Sequence, residues 1–132
     1  LSTGAKVRIE ENQKLLSPLP DEERAIFLTL AALRDDIPES FTVTDEPQDR
    51  WHADKTPSKP GTKLSLRRSI RVEGMGLTLK EFLVKTQSGT TFEETDFLAT
   101  QIDDSIFAVT MDPLRLEPGQ IGRLFVISKE GF

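Results

Sequence analysis

A mostly β domain, a β-sandwich of antiparallel strands with one short α-helix, is predicted by three features of this sequence. From Leu77 to Ile127 short runs rich in β-branched and aromatic residues alternate with turn residues, and no 3.6-residue period persists. Just upstream, Leu64, Leu66, Ile70 and Val72 alternate with Ser65, Arg67, Ser69 and Arg71, the pattern of a strand with one wet face. Only the stretch from Asp21 to Asp35 carries a helical stripe.

Taken in order, Lys6-Val7-Arg8-Ile9-Glu10 alternates charged and apolar residues and reads as a short strand. With the rigid Ser17-Pro18-Leu19-Pro20 it makes residues 1–20 a lead-in strand and linker. Asp21 is placed to cap the helix, with Glu22 and Glu23 in its first turn, where the macrodipole favours negative charge. Ile26, Leu30, Leu33 and Ile37 form its apolar stripe, broadened by Phe27 and Ala31. The helix should end near Asp35, ahead of Pro38. Ser40 to Thr44 reads as a strand. Asp45 to Gly61 has no period and holds Pro47, Pro57, Pro60, Trp51 and His52; an irregular connection of roughly seventeen residues is unusual inside a compact domain. Gly74-Met75-Gly76 turns the Leu64–Val72 strand into an antiparallel hairpin with the next. Beyond it the apolar phase changes from odd (Leu77, Leu79) to even (Phe82, Val84). A bulge near Lys80-Glu81 would absorb that slip without changing the face.

The chain of 132 residues fits one domain, 1–132, and its composition of 36% hydrophobic residues allows a thin core. A net charge of −5 has the wrong sign for a general nucleic-acid binder and argues against anchoring on an anionic membrane. No apolar run is long enough for a membrane span, and no signal peptide is visible. The start at Leu1 suggests a domain excised from a longer precursor. The absence of cysteine removes disulfides, thiolate catalysis and Cys-based zinc sites.

Each chemical constellation has a plainer reading. His52, beside Asp49 and Asp54, lacks the spacing of a metal site and reads as an exposed loop histidine. Glu93, Glu94, Asp96, Asp103 and Asp104 lack the Gly-centred calcium loop and read as turn caps or a solvated face. Arg68 falls on the apolar phase, so it is either buried and paired or protects a sheet edge, edge protection being the plainer case. The glycines open no helix and cradle no phosphate. Neither an enzyme, a cofactor nor a bound metal is expected. A binding or assembly module remains, with Trp51 either stapling its loop to the sheet or presented to a partner.

The ordered residues Leu79-Lys80, Phe82, Val84, Phe92-x-Glu94-x-Asp96-Phe97, Ala108-Val109, Leu116-x-x-Gly119 and Val126-Ile127 form a ladder of strands and turns. Upstream come the helical Glu23 to Arg34, then Ile37-Pro38 and Phe41-Thr42-Val43. This order resembles the C-terminal domain of the TraK family, periplasmic proteins of F-type conjugative type IV secretion systems, over roughly Asp21 to Gly131. It departs most between Pro47 and Leu66. The resemblance implies an outer-membrane core-complex component that forms a ring homo-oligomer and binds a TraV-like outer-membrane lipoprotein and a TraB-like channel protein. A lipoprotein tail can pair with a sheet edge, and Trp51, Arg67 and Arg71 are the residues expected to meet it. The alternative is a periplasmic adhesin, pilus subunit or chaperone-like sandwich that takes a peptide by strand addition, with a hydrolase using an acidic pair behind both.

Overall fold

The computed structural model describes residues 2–53, 59–98 and 105–130. Among these residues two helices, α1 (Thr3–Leu16) and α2 (Asp21–Leu33), precede eight strands. These are β1 (Thr42–Asp45), β2 (His52–Ala53), β3 (Lys63–Val72), β4 (Leu77–Lys85), β5 (Thr90–Thr91), β6 (Ile106–Asp112), β7 (Arg115–Leu116) and β8 (Gly122–Lys129). A 3-10 turn, Glu94–Phe97, lies between β5 and β6. The main sheet runs β1-β3-β4-β8-β6, with β2 also on the outer side of β3, and every described pairing is antiparallel. β5 and β7 form a separate two-stranded ribbon. The fold is mostly antiparallel β with two helices, one more than the sequence predicted.

The additional helix corrects the lead-in strand. Charged and apolar residues alternate over Lys6–Glu10, but five residues cannot separate a period of two from one of 3.6. Over the longer span Ala5, Asn12 and Leu16 are buried, which is helical spacing. Ser2 caps the helix, its Oγ accepting from the Ala5 N–H at 3.0 Å, and Lys, Glu and Gln favour its interior. Pro18 follows the C-cap Ser17 and stops it.

α2 forms where expected, although Pro20 occupies the N-cap and Asp21 is the first helical residue. Its buried face is Ala25, Leu28, Ala31 and Ala32, not the stripe through Ile26 and Leu30. The helix is apolar on two sides. Its small residues face the sheet, where backbones approach closely, while Ile26 stays 57% exposed. Its C-terminus is a Schellman turn with Asp35 at φ 53°: the Asp35 N–H donates to Ala32 O and the Asp36 N–H to Ala31 O.

The sheet is covered on both faces. Ile70, Val72, Leu77, Leu79, Phe125 and Ile127 pack with Leu16, Leu28 and Ala32 of the helices. Leu64, Val84, Leu124 and Val126 pack instead with Phe92, Phe97 and Leu116 of the ribbon and 3-10 turn. Alternation along β8 therefore buries consecutive residues on opposite sides. The same alternation corrects the expected bulge at Lys80-Glu81. β4 is regular there; its odd residues face the helices and its even residues the ribbon. The irregularity lies across the ladder between Leu66 and Arg68, where Leu66 pairs with Phe82 and Arg68 with Glu81. Arg67 is the extra residue, and it moves the even-numbered apolar series of β3 from one face to the other.

Candidate partner-binding surfaces

The inserted Arg67 sets up a buried knot of charge. With the register shifted, Glu81 comes under the C-terminus of α2 on the helix-facing side, where it is wholly buried. Three guanidinium groups converge on it: Arg67 Nη1 at 2.6 Å, Arg68 Nε at 2.9 Å and Arg123 Nε at 3.1 Å. Arg68 and Arg123 reach further, each donating to Ala32 O, at 3.0 and 2.9 Å, and Arg123 also donates to Leu33 O at 3.0 Å. These are the helix carbonyls left without intrahelical partners. The left-handed turn places the Asp35 carboxylate 2.7 Å from Arg68 Nη2.

Burial alone would push the Glu81 carboxyl up. Hydrogen bonds from Arg123 and Arg67, with the charge of Arg68, outweigh that and hold it below the usual carboxylate range. The hydrogen bond from Arg68 likewise lowers the Asp35 carboxyl. Edge protection by Arg68 is thus corrected: it is buried and paired, in the middle of the sheet. The knot ties α2 to β3, β4 and β8, and every member already has a partner. That is an arrangement for holding elements in place, with no free acid, base or nucleophile.

Arg67 also lines the narrow cavity against which Trp51 packs, with Pro47, Gln48, Leu66 and Leu83. Trp51 is half-buried at the entrance to β2, and Lys85 Nζ sits 4.1 Å from its ring centre. The cavity measures about 20 Å³, room for roughly one water and for no partner side chain unless the indole moves. Trp51 therefore holds its loop against β3 and β4, beside the outer strand β1. All four residues of β1 are exposed, and it pairs on one side only among the described residues.

Trp51 and Arg67 are thus brought together. Arg71 lies four positions along the strand, about 13 Å away, and lines a cleft of about 480 Å³ with Arg24, Glu73, Met75 and Lys129. Strand alternation was expected to put both arginines on the wet face; the bulge instead turns Arg67 towards Glu81.

Glu93 and Asp96 form a reciprocal capping box, Glu94 Oε2 accepts the Met111 N–H at 3.1 Å, and Phe97 is fully buried. That is the turn-capping role expected of these carboxylates. Asp54, Asp103 and Asp104 lie outside the described residues. Among the described residues no three His, Cys, Asp or Glu side chains gather as metal ligands, and no helix is long and apolar enough to cross a membrane. His52 is exposed. Sequence reasoning missed Glu81, although its odd-numbered place after Leu77 and Leu79 was a readable signal of a buried carboxylate.

A family model described as the TraK C-terminal domain matches residues 10–128. No curated protein matches the chain.

Proposed function

The chain belongs to the TraK C-terminal domain family, and from that premise we propose that it is an assembly module of an outer-membrane core complex, docking a TraV-like lipoprotein and a TraB-like channel protein in the periplasm. The family itself is periplasmic and works in conjugative type IV secretion, as a structural domain of the transfer system. In this proposal the lipoprotein tail adds as a strand to β1, and the ring homo-oligomer and the channel protein use other faces. The carrying observation is the outer strand β1, exposed at every residue and paired only with β3 among the described residues, beside the corner that Trp51 and Arg67 build. Free backbone groups on such a strand supply the affinity, and a rigid corner supplies register.

Titrating a TraV-like tail peptide into the folded domain tests the proposal. Trp51→Ala should weaken binding more than tenfold, about 1.4 kcal/mol, with the fold intact. Val43→Asp, on exposed β1, should weaken it as well. Unchanged affinity in both variants moves the interface away from this edge. Loss of the fold in Trp51→Ala alone would reflect the packing of the indole against the sheet, and Val43→Asp then decides.

A further inference from the structure

The opposite edge of the sheet carries a second surface of different character. β6 is the outer strand there and pairs only with β8 among the described residues. α2 runs beside it, and between them lies a groove of about 450 Å³, within the range of sites that take ligands or peptides. Ile26, Thr29 and Leu30 line it from the helix, and Phe107, Ala108 and Thr110 from the strand. Ile26 is 57% exposed and Phe107 38% exposed, large apolar side chains left in water. They are the second apolar side of α2 and the bulged residue of β6, where the register shifts between Ile106 and Ala108.

The backbone says what shape of occupant belongs there. The Met111 N–H points away from β8 and is taken by Glu94. Residues two apart in a strand direct their backbone groups the same way, so Val109 also turns its N–H and C=O outward. No described residue meets them. A strand laid along β6 would pair at Val109 and stop short of Met111. Its side chains on the helix side would fall beneath Ile26 and Leu30, continuing the core in which Ala108 already takes part.

Charge sets the remaining requirement. Lys129 lies at the Phe107 end, its Nζ 5.5 Å from the ring centre, but its charge is held by Asp21 at 2.7 Å. Among the described residues Glu22, at the same end, is the one charged residue that lines the groove, and none of them forms an ion pair with it. We infer that the groove between α2 and β6 docks a short extended segment of a partner protein, apolar on alternate residues and carrying a basic side chain at the end beside Glu22.

Two synthetic heptapeptides of alternating valine and threonine, one with lysine at its N-terminus and one at its C-terminus, probe both strand directions. Titrated into the folded chain and followed by NMR, one of them should bind and slow exchange of the Val109 amide. Ile26→Asp, at an exposed position, should weaken binding at least tenfold. Glu22→Lys should weaken it too, and replacing the peptide lysine by glutamate should restore it. Val43→Asp, on the far edge, should leave this binding unchanged, so failure here is separable from failure of the proposed β1 interface. No protection of Val109 by either peptide, or full affinity in Ile26→Asp, overturns the inference. Self-association of the chain that Ile26→Asp abolishes would overturn it in favour of contact between two copies.

Discussion

Glu81 shows how much one residue can hold together. A carboxylate with no exposed surface survives ionised because three guanidinium groups surround it, and those groups in turn finish the open end of α2. Glu81→Ala would leave those guanidinium groups without their shared partner, and should cost about 3–5 kcal/mol in urea unfolding at pH 7. Because the folded carboxyl sits below its ordinary value, its contribution is complete above the unfolded carboxylate pKa, about 4.3, and is lost as pH falls through the folded value. Stability should therefore decline below about pH 4.3, and Glu81→Gln should decline less steeply over the same window. Phe97 is the apolar counterpart. It is fully buried and stacked on Phe92 at 5.4 Å, so Phe97→Ala should lower stability on the order of 3–5 kcal/mol in a thermal or urea melt.

At the scale of elements, the attachment of α1 depends on a glycine in the β3–β4 turn. Gly74 has φ 85°, and a Cβ placed there would lie 2.6 Å from Cγ2 of Ile9. The helix rests directly on that turn, tied by Arg8 to Glu73 at 3.0 Å and by Asn12 Nδ2 to Glu73 O at 3.0 Å. Gly74→Ala combines a strained backbone with a displaced helix and should cost roughly 1 kcal/mol or more. Hydrogen exchange should locate the damage: α1 amides lose protection while the amides of β4 and β8 keep theirs. Equal loss throughout would mean that α1 is not a separable attachment.

Across the whole molecule, one sheet serves two cores. Ile70 belongs to the helix side and Leu124 to the ribbon side, and both are fully buried. Ile70→Val should cost about 0.5–1.5 kcal/mol and Leu124→Ala about 2–5 kcal/mol. On opposite faces they share no cavity, so the double variant should equal their sum to within about 0.5 kcal/mol. Since both cores are built on the same strands, unfolding should still be a single transition, with Trp51 fluorescence and far-UV circular dichroism coinciding. Two separated transitions would show that the faces fold independently.

Local signals were enough for much of this architecture. The strand over Leu64–Val72, the glycine turn at Gly74–Gly76 and the helix after Pro20 depend on neighbours in sequence, and each stands where it was expected. The strand and turn order also carried the family resemblance, because that order is a property of the chain as written. Other features depended on what lay across the sheet. Lys6–Glu10 alternates, yet it becomes helix because the longer span buries Ala5, Asn12 and Leu16. The even-numbered apolar series of β3 looked like one face, but pairing with β4 inserts Arg67 and divides it between two. Which apolar side of α2 was buried, and that three arginines meet at Glu81, were settled by packing. Periodicity reports that a side chain prefers to leave water; only the tertiary structure decides which surface receives it, and which apolar side chains, such as Ile26, stay exposed.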